Sequence, residues 1–374
     1  MSTEQWSNAF LDTYRNTGDH RADAVIKSLE ESQELSSVND ALEHLDSNDQ
    51  ALPSDLPKIM VDYLNDTAEL PEWADMDKIA IAEKFFSSRG PLFGVVLLCG
   101  SLPTLYAGGQ GGAQVLMATQ QFTKHYGRRA GETLRFILDV LEPNGLAPGG
   151  KGLRTVQKVR LMHAAIRYYA RKSPEAWPAK PNWGQPINQE EMTGTFLAFS
   201  TKALDDIAKL GVDICEEEQE AYFHTWKVAA HLLGIEPEMV PATRADAASL
   251  WSRIAERNFM RTKDGVALAE CHVDFLKKVI PGHLVDGMAV SLMRYLMGRK
   301  MTEQYLGLPH PGWTYVLITF VRGLLGLEEI LLNSTRTLAE IIEHDSILFM
   351  EGLDKLWMEG DTTPFRIPPS LTQK

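Results

Sequence analysis

The chain has 374 residues, of which 50 are acidic and 37 are basic, so its net charge at pH 7 is −13. Apolar residues make up 44% and charged residues 23%, a globular composition that excludes a wholly disordered or fibrous protein. The acidic excess lies in residues 1–80, which hold 18 acidic and 5 basic residues, whereas the remainder holds 32 of each. This distribution argues against nucleic acid or an anionic membrane as the main partner, because both attract a basic surface.

The cysteines Cys99, Cys215 and Cys271 are odd in number and far apart. They predict neither a disulfide framework nor a CxxC metal pair, which suits a reducing compartment. The N-terminal MSTEQWSNAF has no basic n-region and no apolar h-region of a signal peptide. We therefore expect a cytoplasmic protein, although a secreted protein trimmed of its leader would show the same pattern.

Helical periodicity predicts an all-α fold, with no strand alternation between turn signals. Residues 1–80, which we call the acidic front, should form short helices at Glu4–Asn16, Arg21–Glu31, Val38–Leu45, Asp55–Asn65 and Met76–Phe86. The uncharged run over residues 90–123 is cut by Pro103 and by GGQGG (108–112), so it predicts a buried helix and a glycine-rich turn rather than a transmembrane span.

The rest of the chain carries clearer signals for where helices begin and end. Asn188, with Glu191 three residues on, forms a capping-box pattern and predicts one helix that runs to Leu210 and ends at Gly211. The other expected helices are Arg128–Leu141, Leu153–Arg171, Glu216–Leu233, Arg244–Phe259, Gly265–Lys278, Gly282–Met297, Met301–Leu306, Tyr315–Leu332 and Thr335–His344, followed by a Pro-rich tail.

Among the ten histidines, His163 stands out because it lies on an apolar helical face with Val159 and Ile166. No zinc motif is present. A histidine on such a face is more often a packed core residue. The alternative is an axial haem ligand, because haem iron binds a neutral imidazole that projects from a helix into an apolar slot.

Two further groups could carry chemistry. His224 and His231 lie seven residues apart, or about 10 Å along a helix, too far to bind one ion, which favours core histidines. Arg129, Glu132 and Thr133 fall on one helical face. They predict either a solvated surface or a polar patch that faces a reactive site.

Five segments in order carry a family resemblance: CGSLPTLYA (99–107), RAGET (129–133), RLMHA (160–164), GQPINQEEMTGTFLAFS (184–200) and YFHTWKVAAHLLGI (222–235). Together they resemble the latex-clearing-protein family. That family comprises the haem b rubber oxygenases and their relatives, including the oxygenase that trims an isoprenoid side chain in fungal mycophenolic acid synthesis. The resemblance is good over about residues 85–240 and looser elsewhere.

The resemblance implies a globin-like helical core around one haem b, with additional N- and C-terminal helices. His163 would be the proximal ligand, Arg129 and Thr133 would line the distal side, and His224 and His231 match family histidines that the intact pocket needs. The implied reaction is cleavage of a carbon–carbon double bond by O₂ to give carbonyl products. We expect an acidic helical segment at 1–80 packed on a catalytic core at 81–345, and an extension at 346–374.

Two positions depart from the family. Glu132 stands where the rubber oxygenases carry a lysine that caps the iron, and QGGAQ (110–114) has no carboxylate where they have a distal glutamate. Glu132 could take over acid–base chemistry, or it could pair with a neighbouring arginine. The expected substrate is a terpenoid or unsaturated lipid rather than a polymer. A haem sensor or carrier without turnover, and a helical scaffold without haem, remain alternatives; no partner protein is indicated.

Overall fold

The computed structural model describes residues 5–109, 111–118, 126–174, 177, 178, 180, 182–279, 287–310, 312, 351 and 352. Over these residues the secondary structure is helical, and the β-pairing is one isolated bridge between Gly108 and Phe259. The prediction of an all-α fold is confirmed.

The acidic front forms short helices, as its turn signals predict. Ser7, Asp19 and Asp75 accept backbone N–H groups at the starts of three of them, which satisfies donors that the first turn of a helix leaves unpaired. The helices are α1 (Asn8–Arg15), α2 (His20–Glu31), α3 (Leu35–Glu43), α4 (Lys58–Asp66) and α5 (Met76–Ser88).

Residues 90–105, the first part of the uncharged run, form a bent, largely buried helical segment. Helix α6 (Gly90–Val96) passes through a π-helical turn (Leu97–Ser101) into α7 (Leu102–Leu105), where Pro103 has no N–H to continue the ladder. Within the described ranges no single helix is long and apolar enough to cross a membrane. By length and composition alone, one pair bent by 84°, Met76–Ser87 with Gly90–Leu105, passes that test together.

The remaining helices enclose the main core. They are α8 (Gly112–Ala118), α9 (Tyr126–Leu141), α10 (Gly152–Lys172), α11 (Gln189–Phe199), α12 (Thr201–Lys209), α13 (Glu216–Leu232), α14 (Arg244–Asn258), α15 (Lys263–Val279) and α16 (Met288–Met297). A 3₁₀ turn at Pro237–Met239 and a π-helical segment at Lys300–Tyr305 complete them. The helices predicted at Tyr315–Leu332 and Thr335–His344, the start of Gly282–Met297 and the Pro-rich tail lie outside the described residues.

The prediction of one helix from Asn188 to Leu210 is wrong, because the helix breaks at Ser200 (φ −95°, ψ −93°). The Ser200 hydroxyl donates to the Phe196 carbonyl, and the Thr201 hydroxyl donates to the Leu197 carbonyl. Side-chain bonds of this kind compete with the helical ladder and bend the chain. The predicted capping box of Asn188 and Glu191 is confirmed.

Helix α10 lies between two hydrophobic clusters. One face packs in the main core, whereas Leu161, Ala164 and Ala165 on another face join a second cluster built from α2, α3 and α4. Helices α2, α3 and α4 therefore reach the site through α10. The domain boundaries expected from the sequence remain a prediction.

The face of α10 that meets the N-terminal helices carries cations, and the acidic front supplies their partners. Arg160 bonds both carboxylate oxygens of Asp19, at 2.5 and 3.0 Å, and the fully buried Arg167 bonds Asp23 at 2.7 Å. Lys158 lies 3.8 Å from Asp46. A buried cation needs such a partner, because burial removes its hydration.

We expect Asp19→Asn to lower the free energy of unfolding by about 3 kcal/mol, because it leaves the largely buried Arg160 without a counter-charge. Asparagine is as good an N-cap as aspartate, so the start of α2 stays capped. The exposed Asp62, which pairs with Lys58, is the matched control: Asp62→Asn should cost less than about 1 kcal/mol. Urea unfolding measures both values, and equal losses would contradict the role given to Asp19.

Candidate functional site

A largely apolar cavity of about 300 Å³ lies in the main core, between α9, α10, α11, α13 and α14. Its apolar lining includes Leu105, Val115, Phe136, Val159, Met162, Ile166, Met192, Phe196, Phe199, Trp226, Ala230, Ile235, Trp251 and Ile254. The polar and charged side chains at its surface are those of Tyr106, Arg129, Glu132, Thr133, His163, Glu191, Thr195 and Asn258. A few polar groups in an apolar concavity are typical of a ligand site.

His163 projects from α10 into this cavity, on the face that Val159, Met162 and Ile166 share. Protein surrounds the imidazole on the sides that do not face the cavity, and its buried Nδ1 has no hydrogen-bond partner among the described residues. Burial, helped by the charges of Arg167 and Arg129, lowers the pKa of His163 to about 3. The imidazole is therefore neutral near pH 7 and keeps a lone pair on one ring nitrogen.

Arg129, Glu132 and Thr133 line the cavity together from α9, so the face inferred from their spacing is the inner face of the helix. Arg129 Nη1 donates to Glu132 Oε2 at 2.6 Å and lies 3.7 Å from Met162 Sδ. The Thr133 hydroxyl donates to the Arg129 carbonyl at 3.1 Å. Arg128 Nε lies 3.5 Å from Glu132 Oε1. Of the two alternatives for Glu132, the geometry favours the pair with arginine.

His224 and His231 do not line the cavity. The His224 Nε2 accepts the backbone N–H of Asp75 at 2.9 Å, and Trp73 packs edge-on against both imidazoles, at 5.8 and 6.0 Å between ring centroids. Burial lowers the pKa of each imidazole. The two histidines thus hold the start of α5 on α13 as neutral groups, on the other side of that helix from the cavity residue Trp226.

The sequence interpretation overlooked Glu191 as a site residue. Its capping-box pattern explained it as a structural residue, but the carboxyl also lines the cavity. Burial raises the pKa of Glu191 to about 8, and the neighbouring charge of Glu190 acts in the same direction. The signal that could have found it is the spacing of Glu191, Thr195 and Phe199, which places a carboxyl on an otherwise apolar face.

Residues 87–326 match the family model described as "ER-bound oxygenase mpaB/B'/Rubber oxygenase, catalytic domain". The chain belongs to this family. The rubber oxygenase of Streptomyces sp. (strain K30) is 27% identical over 294 residues, which cover 76% of this chain and 69% of that protein. The fold is also similar to the solved structure of latex clearing protein in its closed state. The match covers 89% of this chain and 91% of that one, with a TM-score of 0.74 and 23% sequence identity.

The family assignment confirms the resemblance drawn from the sequence and makes the chain a member of an oxygenase family. The motif residues of RAGET and RLMHA meet at one cavity, with Arg129, Glu132 and Thr133 on one side and His163 on the next helix. Membership of the family does not by itself fix the roles of these residues.

The depressed pKa of His163 makes the stability of the protein sensitive to acid. The unfolded chain takes up a proton as the pH falls below the ordinary histidine pKa of about 6.5, whereas the folded imidazole stays neutral down to about pH 3. Between pH 7.5 and 5.5 this residue should cost about 1.4 kcal/mol of folding free energy. The stability that the folded protein gains by keeping this imidazole neutral is fully present above pH 6.5 and is lost as the pH falls toward the folded-state pKa of about 3.

We expect His163→Phe to reduce the acid-induced loss of stability by about that amount, measured by urea unfolding at the two pH values. Phenylalanine fills a similar volume and cannot titrate. His20→Phe, at a solvent-exposed position outside the cavity, is the control for the replacement of one histidine. An unchanged pH dependence in His163→Phe would show that the imidazole is protonated in the folded protein.

Proposed function

We propose that this protein is a haem b-dependent oxygenase that uses O₂ to cleave a carbon–carbon double bond of an isoprenoid or other unsaturated, lipid-like molecule. The observation that carries the proposal is the neutral imidazole of His163, whose Nδ1 has no partner among the described residues, at an apolar cavity that also holds Arg129 and Thr133. Membership of the oxygenase family supports the reaction class.

The residues present fit a haem. His163 is the residue that would bind the iron, because burial keeps its imidazole neutral and its Nδ1 has no protein partner among the described residues. The apolar lining suits a porphyrin face, and CxxCH, the motif for covalent attachment, is absent from the sequence. When bound, haem iron supplies the binding and activation of O₂.

The protein itself supplies orientation, dryness and hydrogen bonds. The apolar side chains hold the alkene and exclude water, which strengthens polar interactions inside the cavity. Glu132 fixes the guanidinium of Arg129, and this guanidinium and the Thr133 hydroxyl are donors for negative charge that develops on oxygen. We assign Glu132 a positioning role toward Arg129, and His224 and His231 a packing role outside the cavity.

The substrate class follows from the chemistry of the cavity. The charged groups at its wall are few, so an apolar molecule with an alkene fits better than a polar or anionic one. The relative named rubber oxygenase supports an isoprenoid alkene as the first compound to try. A cytoplasmic location remains a prediction.

The test begins with haem content and O₂ uptake. Protein purified with haem should show a Soret band, consume O₂ with a short cis-isoprenoid and release carbonyl products. His163→Ala should lose the haem and the O₂ uptake together. His231 lies outside the cavity and provides the control, since His231→Ala should keep both. A Soret band without products would favour a sensor or carrier, and wild-type haem content in His163→Ala would contradict the assignment of the ligand.

Arg129→Ala should keep the haem and the fold but lower the rate of O₂ uptake by about one to three orders of magnitude, as the loss of one preorganised donor does. Thr133→Ala should act in the same direction. Arg128 is the matched control, because it contacts the same Glu132 without lining the cavity. We expect Arg128→Ala to retain most of the rate. Equal rates for Arg128→Ala and Arg129→Ala, each corrected for haem content, would remove Arg129 from the mechanism.

A further inference from the structure

The cavity holds a second carboxyl whose surroundings differ from those of Glu132. Among the described residues that line the cavity, Glu132 and Glu191 are the carboxyl-bearing side chains. Glu132 forms ion pairs with two arginines. Glu191 forms no ion pair within the described ranges, and its Oε2 accepts the backbone N–H of Asn188 at 3.3 Å. The Glu132 carboxyl is thus paired with arginines, whereas the Glu191 carboxyl faces the cavity without an ion pair among the described residues.

Glu191 is held in a fixed position. It is the third residue of α11, where its side chain and that of Asn188 cap each other's backbone N–H groups. Two glycines lie beside the carboxyl: a Cβ added to Gly111 or Gly112 would lie 3.3 or 3.6 Å, respectively, from Glu191 Oε1. The absence of side chains there leaves Oε1 room at the cavity surface, and Gly111 has φ +118°, which disfavours a side chain.

We propose that Glu191 is the proton-donating residue of this cavity: its carboxylic O–H gives a proton to an oxygen atom derived from O₂ and takes it back as the second carbonyl forms. This proposal rests on the proposed oxygenase function. In the overall reaction the C=C and O–O bonds break and two C=O bonds form, so the alkene carbons are oxidised, O₂ is reduced and no external reductant is needed. No net proton is consumed, so the proton that Glu191 donates must return to its carboxylate before the next turnover.

The charges around Glu191 favour a neutral carboxyl. Burial is the largest cause of its raised pKa of about 8, and the charge of Glu190 adds to it, whereas Arg15 and the backbone N–H groups of Ile187 and Asn188 act in the opposite direction. Both Arg15 and Arg257 are ion-paired with Glu190. Helix α7 and the π-helical turn, which also pack on α11, carry no charged residue. The remaining charged or titratable groups at the cavity or on the adjoining 3₁₀ turn are Tyr106, Arg129, Glu132, His163 and Glu238.

A protonated carboxyl has a distinct infrared C=O band, so the first measurement is an infrared pH titration of the haem-free protein. The wild type should lose such a band with a midpoint near pH 8. Glu191→Gln should lack this band, and glutamine can still serve in a capping box. Glu218→Gln is the matched control, because Glu218 caps α13 in the same way, away from the cavity. Burial also raises the pKa of Asp139 and Glu142, so the midpoint identifies the band. A band with a midpoint near pH 8 that persists undiminished in Glu191→Gln would overturn the assignment.

The second measurement is the pH dependence of O₂ uptake by the haem-loaded protein. Because the neutral form is the active one, the rate should be full well below pH 8 and should fall as the pH rises through 8. Glu191→Gln should be slower by about two to four orders of magnitude, the usual contribution of a general acid, and should lack the alkaline decline. Glu132→Gln should keep the alkaline decline, and Glu218→Gln should keep the rate as well.

A wild-type rate and pH profile in Glu191→Gln would overturn the proposal while leaving the oxygenase function intact. If haem-loaded wild type gives no alkene oxidation at all, the proposed function fails and the donor role toward oxygen fails with it. The infrared titration distinguishes that case, since it reports the protonation of Glu191 without any turnover.

Discussion

The position of His163 depends on how the cations of α10 are neutralised. The helix that carries this imidazole also carries Arg160 and Arg167, both withdrawn from solvent and both bonded to aspartates of α2. A buried guanidinium without a counter-charge would cost several kcal/mol, so α10 can pack only where those aspartates meet it. The ion pairs set one side of the helix, and the cavity then forms on the other.

This arrangement explains the uneven charge of the chain. The first 80 residues carry the whole net charge of −13, and several of their carboxylates serve as partners for a basic helix elsewhere in the sequence. The acidic residues of this segment thus neutralise cations within the protein, and their number does not by itself indicate a basic partner outside it. Apolar packing adds to the attachment, since Leu161 and its neighbours on α10 complete the second hydrophobic cluster.

Inside the cavity, low polarity gives each of the few polar groups a separate state. The imidazole of His163 is neutral because burial penalises its charge, and Glu191 holds its proton for the same reason. Arg129 lies beside a carboxylate that offsets its charge. A ligand at this wall therefore contacts a neutral imidazole that can donate a lone pair, a carboxylic acid, and a guanidinium whose charge is offset by a carboxylate. The electrostatic potential along the wall is not of a single sign.

Local patterns in the sequence predicted most of the helices and which residues share a face of α9 and of α10, because periodicity reports this directly. They left open whether the shared face of α9 was solvated or turned inward. The break at Ser200 was missed because hydroxyl bonds to the preceding turn leave no periodic signal. Glu191 was missed for a related reason: its capping role accounted for it fully at the level of one helix. His224 and His231 were associated with the pocket through family resemblance, but their contacts with Trp73 depend on how α5 meets α13, which no local pattern encodes.

The pairing of α2 with α10 also constrains how such a sequence can drift. Asp19 and Arg160, like Asp23 and Arg167, lie more than a hundred positions apart, yet neither member of a pair can change its charge alone without stranding the other. Tolerated substitutions at these sites should therefore arise as coupled exchanges. Two stretches of chain, one distant from the cavity and one that forms its wall, would then evolve as a single unit.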